Sequence, residues 1–318
     1  MTREVQIFAP ASVGNVAVGF DLLGHALSGV GDVVTARRIP DPVVRITGIE
    51  PGDGVRFERG SLPLDPLQNT ATAGLVELIA DKNLPFGFEL DILKGIPLGW
   101  GMGGSAASAG GGVAAASALL DEPLTPSELL HYGLIGESLA SGSRHADNLA
   151  PCLFGGLQLV AGSSNPVALP TPSGVTCALA LPDMRLDTRA ARAVLGEGYP
   201  IGQVVGQMAH LATFIDACHR DDRDALATCL RDTLVEPRRA HLIPGFADVQ
   251  RAALDAGALG CSISGAGPSV FAWCVGDDVA ERALDAMIRA FHDAGGLAAR
   301  GWTSPLDAPG VHPLEPAP

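Results

Sequence analysis

The chain has 318 residues, long enough for two domains, and 47% of them are apolar, which excludes a protein that is disordered throughout. Glycine is over-represented, since 40 of the 318 residues are glycine, about 13% (40/318), against a usual level of about 7%. The glycines have no three-residue period, so collagen is excluded. With 21 basic and 35 acidic residues the formal net charge is −14, which argues against nucleic acids and anionic membranes as partners.

The first half of the chain alternates between strand and helix patterns. In chain order, the patterns predict strands at 3–8, 30–39 and 43–49, a helix at 70–80, a strand at 86–93, a loop at 99–104, helices at 105–120 and 125–140, a loop at 141–150 and a strand at 154–161. The helix from residue 125 has the clearest start, because Thr125 can cap it and Glu128 follows three residues later, as in a capping box.

The second half begins after a segment rich in proline and serine, residues 163–173, which is the best candidate for a domain boundary. We therefore predict an N-terminal domain of residues 1–162 and a C-terminal domain of residues 163–318. In the C-terminal domain the patterns predict a strand at 175–181, helices at 202–219, 222–234 and 246–256, a strand at 269–275, a helix at 278–293 and a proline-rich tail at 305–318. Because strands and helices mix in both halves, the predicted class is α+β or α/β.

Three features bear on the location of the protein. Residues 1–7 lack the basic segment and apolar stretch of a secretory signal. The six cysteines are scattered, without the close pairs typical of zinc sites, and are expected to be small buried side chains. Residues 95–120 carry no charge, but glycine, alanine and serine dominate them, so the driving force for membrane insertion is weak. We therefore predict a cytoplasmic protein without a membrane segment.

A glycine-rich loop stands between the predicted strand 86–93 and the predicted helix 105–120. The loop and the first helical residues are Pro97, Leu98, Gly99, Trp100, Gly101, Met102, Gly103, Gly104, Ser105, Ala106 and Ala107. Glycines let backbone N–H groups approach a ligand, and a helix N-terminus adds partial positive charge, so the segment is suited to bind phosphate. A flexible loop before a tightly packed helix is the alternative. The P-loop pattern is incomplete, since no lysine follows Gly104, and the dinucleotide-binding pattern lacks its acidic residue at a strand end.

This loop and two other segments resemble the three motifs of the GHMP kinases. The sequence APASVGNVAVGFDLLG at residues 9–24 resembles the first motif, and GCSISGAGPS at residues 260–269 resembles the third. The three segments follow one another in the order of the family. Two more segments, HADNLAP at residues 145–151 and EPRR at residues 236–239, resemble the homoserine kinase branch, since other members typically have Ser-Gly-x-Asp in place of the former.

The resemblance implies an α+β GHMP kinase fold, with an N-terminal domain like domain 2 of ribosomal protein S5 and a ferredoxin-like C-terminal domain. It implies transfer of the γ-phosphoryl group of ATP, with Mg²⁺, to the side-chain hydroxyl of L-homoserine, a step of threonine biosynthesis. A homodimer is also expected from the resemblance alone. Two positions depart from the family's loop: Trp100 replaces a small polar residue and Gly104 a serine, and the lost hydroxyl is expected to weaken nucleotide binding.

The resemblance also implies roles for individual residues. The homoserine-binding residues would be Asn15, Asp21, His145, Asn148, Arg185 and Arg239. We take His145, Asp147, Asn148 and Arg239 as the candidate catalytic residues, of which the resemblance singles out none as a base. The triphosphate would lie on the loop from Pro97 to Ala107, close to Asn69, Lys94, Gly265 and Gly267. The magnesium ligands would be Ser105 and Glu137.

The residue types fit the chemistry of a zwitterionic amino acid. Arg185 and Arg239 can bind a carboxylate through paired hydrogen bonds, and Asp21 can bind an ammonium group. Each arginine could equally be a solvated surface charge, and Asp21 a helix cap. Glu137 lies among apolar residues of its predicted helix, where a carboxylate is costly unless it is paired or binds a metal. An exposed glutamate is the alternative.

A general base is not evident, although His145 and Asp147 are candidates. Because the transition state of phosphoryl transfer is loose and demands little of a base, we expect the hydroxyl proton to leave late, to a phosphate oxygen. Two alternative functions stay open: a kinase for another small hydroxyl compound, such as mevalonate or shikimate, and a non-catalytic metabolite sensor. The arginines argue against mevalonate, and the presence of both Ser105 and Glu137 argues against a sensor.

Overall fold

The computed structural model describes residues 4–58, 60–142, 145–161, 165–196 and 198–314. Some predicted positions lie outside these ranges: residue 3 of the first strand, residues 143 and 144 of the polar loop, residues 162–164 at the proposed boundary and residues 315–318 of the tail. All six cysteines are buried and free, in agreement with their interpretation as small core residues.

Strands from both ends of the described chain form the first sheet. Within the described ranges its seven strands are β1 (Glu4–Gly14), β2 (Leu23–Ile39), β3 (Val44–Pro51), β4 (Gly87–Lys94), β5 (Leu157–Leu159), β6 (Val167–Leu169) and β11 (His312–Pro313). Strands β1, β2 and β4 pair antiparallel in that order, and β3 joins β4 in parallel. Strands β6 and β11 lie beyond residue 162, yet they pair with β5 and β1. The division of the chain at 162/163 stays a prediction.

Among the described residues of the first half, the helices are α1 (Ala73–Asp81), α2 (Gly104–Leu119), α3 (Pro126–Ser141) and α4 (Leu149–Phe154). Helix α2 packs against β1 and β2 and is buried along most of its length, which explains its small residues. A Cβ atom on Gly112, for example, would lie 2.0 Å from the carbonyl oxygen of Ala71. The uncharged window 95–120 is therefore mostly a core helix, and among the described residues no helix has the length and apolar content to span a membrane. The capping box predicted for Thr125 and Glu128 is confirmed at the start of α3.

The second half of the chain forms an antiparallel sheet flanked by helices. Its strands are β7 (Val175–Pro182), β8 (Gly260–Ile263), β9 (Val270–Val275) and β10 (Ala299–Pro305). Its helices are α5 (Thr188–Ala193), α6 (Ile201–Arg220), α7 (Arg223–Cys229), α8 (Glu236–Arg239), α9 (Phe246–Asp255) and α10 (Asp277–Gly295), with a 3-10 turn at Ala240–Leu242. The strand order is β10–β7–β9–β8, and helices separate β7 from β8 and β9 from β10. This connectivity is the ferredoxin-like arrangement that the resemblance implied.

The sequence prediction did not contain β6, β8, β10, β11, α5 or α8. It also differs from the structure at three further places. Strand β2 begins at Leu23 rather than at residue 30, because its first residues pair with β5. A short helix, α4, directly follows the polar loop, where no helix was predicted. Helix α7 ends at Cys229 rather than at residue 234. Its predicted last turn is instead organised by Asp232, whose carboxylate accepts hydrogen bonds from the N–H groups of residues 234–236 and so leads into α8.

His25 on β2 is fully buried where the two sheets meet. Its Nδ1 donates to the carbonyl oxygen of Ala26 (2.9 Å), and its Nε2 accepts a hydrogen bond from the indole N–H of Trp273 on β9 (3.3 Å). Burial lowers the pKa of His25 to about 4. The imidazole is therefore neutral in the folded protein, with both ring nitrogens engaged.

We expect this buried imidazole to make the protein less stable in mild acid. In the unfolded chain His25 takes up a proton near pH 6.5, and in the folded chain only near pH 4, so the free energy of unfolding falls as the pH decreases between these values. The shift corresponds to about 3 kcal/mol. Urea unfolding at about pH 7.5 and about pH 4.5 should show a weaker pH dependence in His25→Gln. The exposed His219→Gln serves as the control, and a wild-type pH dependence in His25→Gln would contradict the assignment.

Candidate active site

A cleft of about 330 Å³ opens between the glycine-rich loop, α3 and helices of the second half. Among the residues predicted for the site, those on its wall are Asn15, Asp21, Asn69, Lys94, the loop from Pro97 to Ser105, Glu137, His145, Asp147, Asn148, Arg239 and Gly265. Four other predicted residues, Ala106, Ala107, Arg185 and Gly267, lie elsewhere. Ala106 and Ala107, in the first turn of α2, are buried in the core. The structure therefore brings most of the predicted residues together in one place.

The glycine-rich loop presents its backbone to the cleft because side chains would not fit behind it. A Cβ atom on Gly101 would lie 2.6 Å from the carbonyl oxygens of Ser264 and Gly267, and φ at Gly101 is 73°. Gly103, the N-cap of α2, has a φ of 68°, and a Cβ atom there would lie 2.3 Å from the hydroxyl oxygen of Ser12. The N-terminus of α2, whose partial positive charge favours an anion, therefore opens into the cleft.

The third motif holds this loop from behind. The hydroxyl of Ser264 donates to the carbonyl oxygen of Gly101 (2.7 Å), and the hydroxyl of Ser269 donates to that of Trp100. Gly267 packs against the same side of the loop, so it supports the cleft without lining it. The second half of the chain therefore fixes the position of the loop.

An apolar pocket forms the end of the cleft beside the start of the loop. Its side chains are Ile49, Leu62, Pro63 and Ile92. Asn69 orders this segment, because its side chain donates to the carbonyl oxygen of Pro63 (2.8 Å) and accepts from the N–H group of Ala71 (2.9 Å). The apolar pocket is suited to the flat base of a nucleotide whose phosphates lie on the loop.

Two buried carboxyl groups face the loop. Burial raises the pKa of Glu137 on α3 to about 8, against the opposing effect of a hydrogen bond with Ser105. Burial, together with the neighbouring Asp21, raises the pKa of Asp147 to about 7. Burial therefore favours the protonated, neutral form of each carboxyl group. Among the described residues no three His, Cys, Asp or Glu side chains are arranged around one metal position.

Asn148 connects the carboxyl groups to the loop. Its Oδ1 accepts a hydrogen bond from the hydroxyl of Ser12 (2.9 Å), and its Nδ2 donates to the carboxylate of Asp147 (3.2 Å). A Cβ atom on Gly103 would approach the Asn148 Oδ1 to 2.9 Å. The amide therefore lies where a group that accepts a phosphoryl group would meet a phosphate bound on the loop.

The opposite end of the cleft carries charged side chains. Asp21 accepts two hydrogen bonds from the guanidinium group of Arg192 (2.9 and 3.0 Å) and lies 3.4 Å from Nδ1 of His145. Arg239 is buried, and its guanidinium carbon lies 5.2 Å from the ring centroid of Phe20. That of Arg192 lies 5.4 Å from the same centroid. Two cations and one anion thus converge, as a ligand with a carboxylate and an ammonium group requires.

Asn15 fixes the geometry of this charged group. Its Nδ2 donates to the carbonyl oxygen of Gly265 (2.7 Å), and its Oδ1 accepts from the backbone N–H of Asp21 (3.0 Å). Arg239 donates to the same Gly265 oxygen through Nη1 (3.1 Å). The first and third motifs therefore hold Asp21 and Arg239 in fixed positions relative to each other.

Comparison with known proteins assigns the chain to a family. A family model described as GHMP kinases N terminal domain matches residues 69–156, and one described as GHMP kinases C terminal matches residues 214–293. The chain belongs to the GHMP kinase family. The homoserine kinase of Xylella fastidiosa (strain M12) is 50% identical over 98% of this chain and 94% of its own length. That of Chlorobaculum tepidum is 41% identical over 97% of this chain and 98% of its own length.

Solved structures agree with this assignment. The homoserine kinase from Cytophaga hutchinsonii ATCC 33406 matches this GHMP kinase with a TM-score of 0.91 and 38% identity, over 98% of this chain and 97% of that chain. Lactococcus lactis galactokinase, solved with galactose, has a TM-score of 0.70 at 14% identity, over 98% and 95% of the two chains, and shares the fold. The predicted family and its α+β fold are confirmed.

In this GHMP kinase Arg185 does not meet the other residues predicted to bind the substrate. It is exposed, its Nη2 donates to the carbonyl oxygen of Arg56 (3.1 Å), and it lines a separate depression with Arg56, Trp100 and Arg300. The charged end of the cleft contains Arg192 instead, which sequence reasoning missed. Other wall residues that it missed include Phe20, Ser108 and Thr188.

Proposed function

We propose that this chain is a homoserine kinase, which transfers the γ-phosphoryl group of ATP to the side-chain hydroxyl of L-homoserine and forms O-phospho-L-homoserine for threonine biosynthesis. Relatives of that name, 50% and 41% identical over nearly their whole length, support the activity. The observation that supports homoserine as the substrate is a single cleft whose two ends differ in character. One end is a glycine-rich loop suited to a triphosphate, and the other holds Arg192, Arg239 and Asp21, suited to the two charges of an amino acid.

In the proposed complex the amino acid lies at the charged end. Arg239 donates to the carbonyl oxygens of Ala191 and Gly265, which are neutral acceptors, so its full charge is left for a carboxylate. Asp21, oriented by Asn15 and Arg192, is placed for the ammonium group. Binding both charged groups directs the side-chain hydroxyl of the ligand towards Asn148 and the loop, where the γ-phosphate of ATP would lie.

The acceptor hydroxyl must lose a proton, and two side chains near Asn148 could take it. The pKa of Asp147 is raised to about 7, and burial lowers that of His145. Both are therefore able to accept a proton near neutral pH. We propose that neither is required, because a loose transition state leaves the proton on the hydroxyl until late, when a phosphate oxygen can take it.

Replacement of these two groups tests the requirement for a base. We expect Asp147→Asn and His145→Ala each to lower kcat by no more than roughly 10²-fold, through altered hydrogen bonding around the acceptor. A loss above roughly 10⁴-fold in either variant would identify a general base and contradict this part of the mechanism. The measurement is kcat at saturating ATP and homoserine.

Mg²⁺ is part of the proposal, and the donor atoms present fit it. Magnesium prefers oxygen ligands and usually takes one or two from the protein, with phosphates and water completing its shell. The Ser105 hydroxyl and the Glu137 carboxylate lie together beside the N-terminus of α2. When bound, the ion would neutralise charge on the phosphates of ATP. Ser105 and Glu137 would hold the ion, with Glu137 positioned by α3.

Glu137→Gln is expected to raise the Mg²⁺ concentration needed for half-maximal activity and to lower kcat/KM by about 10- to 100-fold, because one charged ligand is lost. Glu77→Gln, at an exposed position of α1, is the matched control and should behave as the wild type. The Mg²⁺ titration of activity distinguishes the two variants. An unchanged titration in Glu137→Gln would remove Glu137 from the metal site.

A coupled assay of ADP release over homoserine, serine, threonine, mevalonate and shikimate tests the function. We expect turnover that is selective for homoserine. Selective turnover of mevalonate would overturn the substrate. ATP binding without turnover of any compound would favour a metabolite sensor over an enzyme. The proposal also includes a homodimer and a cytoplasmic location, and sedimentation velocity of the purified protein tests the former by showing twice the mass of one chain.

A further inference from the structure

A buried ion pair lies beneath the glycine-rich loop. Asp32 on β2 is fully buried, and Lys94 at the end of β4 is 3% exposed. The ammonium group of Lys94 binds one carboxylate oxygen of Asp32, and the hydroxyl of Ser108 on α2 donates to the same oxygen (2.9 Å). Asp32 belongs to none of the three motifs and does not line the cleft.

The pair is bonded to both ends of the loop. On the side of β4, the second carboxylate oxygen of Asp32 accepts hydrogen bonds from the N–H groups of Gly95 (3.0 Å) and Ile96 (3.2 Å), which precede the loop. On the side of α2, Lys94 donates to the carbonyl oxygen of Gly104 (2.9 Å), the first residue of the helix. One carboxylate and one ammonium group therefore set the separation of the two loop ends.

The hydrogen bonds of Lys94 leave it no donor for a phosphate. An ammonium group has three N–H donors, and acceptors on Asp32, Gly104 and Ser108 take all three. Lys94, predicted to lie near the nucleotide, therefore acts on a phosphate through the backbone that it holds.

A buried ion pair is a poor way to gain stability. Removing two charges from water is costly, and apolar side chains of similar volume often replace such a pair without loss. Apolar side chains, however, make no directional bonds to the backbone and cannot fix the spacing of two loop ends. The role of this ion pair is therefore to fix the spacing of the loop ends rather than to add stability.

We propose that Asp32 is a positioning residue for ATP: through Lys94 it holds the two ends of the phosphate loop at the separation at which the loop N–H groups meet the phosphates. This inference rests on the proposed function in taking the loop as the ATP site. It does not depend on which compound accepts the phosphoryl group.

The test compares single replacements, Asp32→Asn and Lys94→Met, with the paired replacement Asp32→Leu/Lys94→Met. Calorimetric titration with the non-hydrolysable ATP analogue AMP-PNP, without a phosphoryl acceptor, gives the nucleotide affinity. The result can therefore be interpreted even if homoserine is not the acceptor. Each single replacement leaves one buried charge without its counter-ion and should lower Tm. The paired replacement should recover Tm and yet bind AMP-PNP at least about tenfold more weakly than the wild type.

Asp91→Asn is the matched control, because Asp91 on β4 pairs with Arg37 on β2, between the same two strands but away from the loop. It should leave AMP-PNP affinity unchanged. In steady state the paired variant should show a raised KM for ATP and an unchanged kcat at saturating ATP. Wild-type AMP-PNP affinity in the paired variant, or a fall in kcat alone, would overturn the proposal. If the paired variant does not fold, Asp32→Asn replaces it, because Asp32 does not line the cleft. Weaker AMP-PNP binding in Asp32→Asn supports the proposal, and unchanged binding overturns it.

Discussion

Replacement of Arg192 by alanine is expected to lower kcat/KM for homoserine by roughly 10²- to 10³-fold, since truncating one partner of a hydrogen-bonded charge pair costs about 2–5 kcal/mol. The change removes one of the two cations at the charged end of the cleft. It also releases Asp21 from the bidentate contact that orients it towards the proposed ammonium site. Initial rates at varied homoserine measure the effect, and KM for ATP should stay unchanged, because Arg192 lies away from the loop.

Arg185→Ala is the matched control for this prediction. Arg185 is also an arginine next to the cleft, but it is exposed and bonded to a backbone carbonyl outside it. Its loss should change kcat/KM for homoserine by less than about threefold. A large loss in Arg185→Ala with a small loss in Arg192→Ala would return the carboxylate-binding role to Arg185 and contradict the site described above.

The charged end of the cleft contains Arg192, where the sequence predicted Arg185, and this difference shows a limit of prediction from sequence. Arg185, Arg189 and Arg192 lie within eight residues, and residue type alone does not separate them. The distinction is the phase of α5, which starts at Thr188 after its N-cap Asp187. Residues four apart share a helix face, so Thr188 and Arg192 both line the cleft while Arg189 is exposed. The Asp187 cap was the signal that could have placed Arg192.

Features that depend on neighbouring residues could be predicted from local patterns. Contacts between distant segments could not, apart from the meeting of the site residues that the resemblance to the family implied. The capping box of α3 and the glycine-rich loop before α2 each arise from a few consecutive residues. The contact of Asp32 with Lys94 joins residues 62 positions apart, and that of His25 with Trp273 joins residues 248 positions apart. Pairing of β11 with β1 likewise joins the two ends of the described chain. No local pattern encodes such contacts, because they follow from the packing of the finished sheets.

The cleft also explains how a protein with a net charge of −14 can bind ATP, which is itself an anion. Screening limits the reach of distant surface charges to about 8 Å at physiological ionic strength, so the local groups decide. Near the loop, Lys94 is neutralised by Asp32, and the pKa values of Glu137 and Asp147 are raised. Backbone N–H groups at the loop, together with the proposed Mg²⁺, would therefore supply the positive potential that the side chains there do not.

Gly101→Ala is expected to lower kcat/KM for ATP by roughly 10²- to 10³-fold, because the loop must move to accommodate the methyl group. At Gly101 the φ of 73° disfavours any side chain, and the new Cβ atom would lie 2.6 Å from two carbonyl oxygens of the third motif, which are backbone atoms. Gly29→Ala separates backbone strain from this clash: its φ is 75°, but nothing lies within 4 Å of the added Cβ atom. Gly29→Ala should therefore lower Tm and leave KM for ATP unchanged. Equal KM values for ATP in the two variants would contradict the assignment of the loop as the ATP site, because backbone strain alone, without displacement of the loop, would then explain both results.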